Sequence, residues 1–73
     1  MSDNSIDHLV KMANQIAAGV PVASTEAKIE STASHIDKFW TPLMKKHIGE
    51  FVASGGEGLT PVATDAVVRA LQS

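Results

Sequence analysis

Residues 35–47 read HIDKFWTPLMKKH, and the Thr41-Pro42 pair near the centre divides the chain into helices. Proline cannot donate into a helix interior and its ring crowds the preceding turn, so a helix arriving from the N-terminal side stops before Pro42. The same residue fits the first position of a new helix, where its missing N–H has no partner to lose, and Thr41 can cap that start. Thr60-Pro61 repeats the signal 19 residues later. Backwards from the break, Ile29, Ala33, Ile36 and Trp40 share one face of a helix capped by Ser24 or Thr25. Before it, Ile6, Leu9, Val10, Ala13, Ile16 and Ala17 recur at helical spacing, with Asn4 as a cap and Asp7 in the first turn. Gly19 is expected to close this helix as a left-handed cap, with Pro21 behind it.

Forwards from the break, Met44, Ile48, Phe51 and Val52 form the stripe of a third helix that runs to about Ser54 and ends in SGGEGL. Val62, Ala66, Val67, Ala70 and Leu71 form the stripe of a fourth. No segment alternates as a strand does. The expectation is one all-α domain of four short helices spanning residues 1–73, ordered over about 5–71.

Composition narrows the function classes. Apolar residues are 44% of the 73, but ten of them are Ala and only three side chains are aromatic, so the core is thin. With no Cys, neither a disulfide nor a thiolate zinc site can staple the fold, and small unstapled domains gain stability by association. The longest run without a polar side chain, IAAGVPVA at 16–23, is far short of the roughly 20 apolar residues that span a bilayer. The N-terminus MSDNSIDH lacks an apolar signal core, which points to a cytoplasmic protein with no membrane partner.

Chemistry is sparse. His8, His35 and His47 have no two members three or four apart on one helix, so a metal site is not expected. No nucleophile has an obvious His base, and the Ser and Thr residues sit mainly where caps are needed, which argues against catalysis. GGEGL lacks the Lys-Ser/Thr of a phosphate-binding loop. A chain of net charge −2 with one Arg fails the electrostatic requirement for nucleic acid. The Asp-Ser-Leu that carries a phosphopantetheine arm in acyl carrier proteins is absent.

The charge pattern singles out the third helix. Residues 35–47 carry Lys38, Lys45 and Lys46 against Asp37, a local +2 that leaves −4 for the remainder. Elsewhere acids open helices and bases close them, as the peptide dipoles favour; here Lys45 and Lys46 stand early and Glu50 late. The exposed N–H groups and Thr41 hydroxyl at this start could hold an anion, or the lysines could form a plain solvated face. Phe39 and Trp40 point about 100° apart on a helix, so both can hardly enter a thin core. Either one faces out, with Trp40 as an interface anchor ringed by lysines, or both tuck under the turn at Pro42.

Three phrases, LVKMANQIA, HIDKFWTPLM and GGEGLTPVATDAV, together resemble the delta subunit of cytoplasmic, molybdenum-containing, NAD-dependent formate dehydrogenases over Ile6 to Leu71. The family pattern falls on His35, Ile36, Phe39, Trp40, Pro42 and Met44, and again on Gly55, Gly56, Glu57, Gly58 and Leu59. Asp37 and Leu43 stand where relatives commonly have Arg, and Gly19 and Val20 where they have Phe. The resemblance implies an accessory subunit that binds no cofactor itself. Its partners would be a catalytic alpha subunit with a bis(molybdopterin guanine dinucleotide) molybdenum centre and subunits carrying iron–sulfur clusters and FMN. The residues expected to meet a partner are Lys38, Phe39, Trp40, Thr41, Pro42, Met44, Lys45 and Lys46, with Gly55, Gly56 and Gly58. A transient maturation factor for molybdenum cofactor insertion, or for binding its nucleotide, is the alternative function.

Overall fold

The computed structural model describes residues 5–72, with side chains from Ile6 onward. Four helices make up the architecture: α1 Ser5–Gly19, α2 Thr25–Phe39, α3 Pro42–Ala53 and α4 Pro61–Gln72. No strand occurs among the described residues. The starts follow the cap chemistry. Ser24 accepts from the Ala27 N–H at 3.1 Å, Thr41 from Met44 at 3.2 Å and Thr60 from Ala63 at 3.2 Å. The cap expected at Asn4 lies outside the described residues.

Two ends differ in kind. Gly19 is still helical and is not among the glycines of positive φ, so the expected left-handed cap is not what stops α1. Pro21 does that, by biasing Val20 toward extended backbone and offering no N–H. At the end of α3 the left-handed turn is fully built. Gly56 N donates to Phe51 O at 2.9 Å and Gly55 N to Val52 O at 3.0 Å, the paired bonds of a Schellman closure. Gly55 and Gly56 take φ of 128° and 63°, which a side chain would resist.

The core joins Leu9, Ala13 and Ala17 of α1, the α2 face, Ile48 of α3, and Ala63, Ala66, Val67 and Ala70 of α4. Three alanines on the buried face of α4 let neighbouring axes approach closely, and α2 with α4 forms the most extensive helix pair. Leu71, expected on this stripe, is 42% exposed; it lies instead over Gly49, where a Cβ added to the glycine would meet its Cδ1 at 2.7 Å. Consecutive α2 and α3 barely touch, each packing instead on α1 and α4. Arg69 bridges the main pair by donating to the Glu26 carboxylate, with Glu30 at 3.6 Å. The Glu26 bond raises the Arg69 pKa above its usual value. All three side chains are well exposed, so the bridge contributes little stability.

Thr32, missed by the stripe reading, is fully buried on α2, and its Oγ1 has no hydrogen-bond partner among the described residues. An orphaned buried hydroxyl costs about 1–3 kcal/mol. Thr32→Val keeps the branched shape and removes it. The expected result is a gain of about 1 kcal/mol, seen as a melting temperature higher by roughly 4–8 °C. A lower melting temperature would mean that the hydroxyl is bonded after all.

Candidate docking surface

The α2–α3 corner is built from opposed local preferences. Trp40 leaves the helix with φ −87° and ψ 140°, its N–H still bonded to Ile36 O, and Thr41 then caps α3. Because Trp40 continues the line of Ile36, its indole enters the core and is 4% exposed, while Phe39 is 70% exposed. Where one of the two rings was expected to face out, with Trp40 as that ring, the exposed one is therefore Phe39. The Phe39 ring lies against His35 one turn back, centroids 4.7 Å apart and planes tilted by 42°. Leu43, one turn beyond on α3, is 61% exposed. Pro42 and Lys38 are exposed beside them, and Met44 is half-buried.

Lys45 does not belong to a free rim. Its Nζ donates to the Asp37 carbonyl at 3.1 Å and lies 3.3 Å from the Asp37 carboxylate. It therefore serves the C-terminal end of α2, where carbonyls lack helical partners and positive charge is favoured. This accounts for half of the inverted charge pattern. Lys38 and Lys46 make no ion pair among the described residues and supply the exposed positive charge. Thr41 Oγ1 is engaged as the α3 cap.

The glycine loop lies elsewhere; Gly55, Glu57 and Gly58 are exposed. Gly56 is buried, so it offers no exposed surface. Gly58 has φ 97°, which a side chain would resist, although a Cβ there would meet Val10 Cγ1 only at an ordinary contact distance of 3.6 Å. The loop is fastened by Asn14, which sequence reasoning missed: Nδ2 donates to the Gly58 carbonyl at 2.9 Å and Oδ1 accepts from the Thr60 N–H at 3.0 Å. Its only local signal is a polar residue beside an apolar stripe. Asn14→Asp keeps the acceptor but turns a second acceptor toward the Gly58 carbonyl. We expect a loss of about 0.5–1.5 kcal/mol, measured by urea unfolding, with faster amide exchange at residues 58–60. Unchanged stability would show that the clamp is not formed in solution.

Among the described residues, no group of three or more His, Asp or Glu side chains is placed to hold a metal ion. No described helix is long and apolar enough to cross a membrane. A family model for the NADH-dependent formate dehydrogenase delta subunit, FdsD, matches residues 8–67, from α1 through the corner and the glycine loop into α4. The chain belongs to the FdsD family. The three phrases that carried the resemblance, at 9–17, 35–44 and 55–67, all lie within that match. No curated protein and no solved structure matches the chain. Within this FdsD chain, the residues expected at a partner divide into an exposed corner (Lys38, Phe39, Pro42, Lys46, with half-buried Met44), groups engaged internally (Trp40, Lys45, Gly56, and Thr41 through its capping hydroxyl), and the exposed Gly55 and Gly58 of the separate glycine loop.

Proposed function

We propose that this chain is a non-catalytic delta subunit that docks through its α2–α3 corner onto the catalytic subunit of a formate dehydrogenase, stabilising or assembling the complex. The observation that carries this reading is Phe39. A phenylalanine 70% exposed at a helix end, resting on the His35 ring and next in sequence to exposed Lys38 rather than covered, is an interface anchor without its pocket. On this reading the reaction's molybdenum, iron–sulfur and flavin groups are held by other subunits, in the cytoplasm, and this chain supplies a surface.

The test is to purify the native formate dehydrogenase from its source under mild conditions and weigh its components. The expected result is this chain at fixed stoichiometry in the active enzyme. Its presence only on cofactor-free precursor, and absence from active enzyme, would instead identify a maturation factor.

A further inference from the structure

Between α1 and α3 lies a depression of about 450 Å³ whose described lining is His8, Leu9, Met12, Leu43, Met44 and His47. Four of these six carry a nitrogen or sulfur donor, although the whole chain has only three His and three Met. His8 and Met12 stand four apart on α1, and Met44 and His47 three apart on α3, so each helix presents its pair from one side. α1 and α3 pack on each other, which brings the two pairs to one crease. The set is assembled across helices, so the spacing of His along the sequence does not show it.

The donor types decide what this crease can hold. Ca²⁺ and Mg²⁺ take oxygen ligands, and no Asp or Glu is among the described lining residues; Glu50 lines the neighbouring depression, together with His47. Zn²⁺ is held by Cys, His and carboxylate, and two imidazoles offer it only half a set. Thioether sulfur is soft and selects Cu(I), and imidazole also suits copper. Charge agrees with this. The exposed Lys11 and Lys46 on these two helices are matched by the exposed Asp7 and Glu50, and Lys45 is taken by Asp37, so the surroundings supply no excess of negative charge for a divalent ion. A monovalent ion among uncharged ligands needs none.

Burial grades the lining. Leu9 is buried, Met12 and Met44 are half-buried, and His8 and His47 are exposed. An ion arriving from solvent meets the imidazoles first. The thioethers, each on three rotatable bonds, can then turn onto it without movement of the backbone.

Going beyond the docking reading and independent of it, we propose that His8, Met12, Met44 and His47 bind one Cu(I) ion. The ion ties the start of α3 to α1, a cross-link that a chain without Cys cannot make with a disulfide.

The test titrates the full chain, without oxygen, with Cu(I) against a chromophoric Cu(I) chelator, and with Ag(I) as a soft probe of the same charge, while NMR follows the methionine methyl and histidine ring resonances. The expected result is one ion per chain and a higher melting temperature in its presence. Resonances of Met12, Met44, His8 and His47 should shift and those of His35 should not. Methyls of Met12 and Met44 that stay unmoved overturn the site. Zn(II) bound as tightly as Cu(I) also overturns it, because a site of that kind is indifferent to sulfur. One ion shared by two chains places the donors between copies and overturns a site within one. Met12→Leu with Met44→Leu keeps the apolar volume and should retain the helical circular dichroism. Its Cu(I) affinity should fall by more than the ~10–100-fold that loss of a merely supporting contact costs. Unchanged affinity in the folded variant overturns the role of the thioethers, and if that variant does not fold, the methyl shifts of the unaltered chain decide.

Discussion

Trp40→Ala should leave the isolated chain largely unfolded, with far-UV circular dichroism showing loss of helix and no cooperative melting transition. The indole is 4% exposed and belongs to the same core cluster as Ile36, Ile48 and Val67. Truncating a buried Trp to Ala costs about 3–5 kcal/mol, through lost apolar burial and the cavity left behind. An unstapled core of this size rarely supplies more than about 3–5 kcal/mol in total, so one substitution consumes it. The indole Nε1 has no hydrogen-bond partner among the described residues, which gives a companion result. Trp40→Phe removes that orphan while keeping most of the ring volume, so the gain and the cavity partly offset and the chain should stay folded. A Trp40→Ala chain that melts cooperatively within a few degrees of the parent would sink the core assignment.

Phe39→Ala should behave in the opposite way, leaving the fold and weakening assembly. The side chain is 70% exposed and contacts the His35 ring, so its loss should change stability by no more than about 0.5 kcal/mol. If its ring enters a pocket on the catalytic subunit, truncation costs on the order of 2–4 kcal/mol of binding, which is about 30- to 1,000-fold in Kd. The loss should appear as faster dissociation. Lys38→Ala and Lys46→Ala, by contrast, should slow association at low salt, because rim charges steer encounter more than they hold the complex. Immobilised formate dehydrogenase lacking this chain gives both rates, and an unchanged dissociation rate for Phe39→Ala would remove Phe39 from the interface.

These two residues also show where the sequence was legible. The four helices could be read because their boundaries are set by local chemistry: Ser24, Thr41 and Thr60 at the starts, Pro21 and the glycines at the ends. The stripe through Ile29, Ala33, Ile36 and Trp40 already placed the indole inward, and this periodicity was the better guide than the habit of Trp at interfaces. What adjacency could not settle was how the chain leaves the helix, since Trp40 sits in extended backbone beyond the last regular turn. Gly19 was misread because glycine near a helix end is compatible with either a cap or a last turn, and a following proline is a sufficient stop on its own. Lys45 looked like part of a basic patch because its partner, Asp37, belongs to the previous helix. Asn14 was illegible for a stronger reason: its partners are 44 and 46 residues away, and nothing within a window of one helix records them.

That long reach has a kinetic consequence. The dominant helix pair, α2 with α4, is not consecutive in the chain; Arg69 and Glu26 are 43 residues apart, and the Asn14 amide ties the entry of α4 to α1. Helical proteins fold fast when their contacts are local, because little loop entropy is lost before contacts form. Here α2 and α3 pack little on each other, the Lys45–Asp37 bonds being exposed, so the corner between them gains little early reward, and α4 must arrive before the core closes. On a ribosome, a chain emerging from its N-terminal end would expose the apolar faces of α1, α2 and α3 until α4 appears.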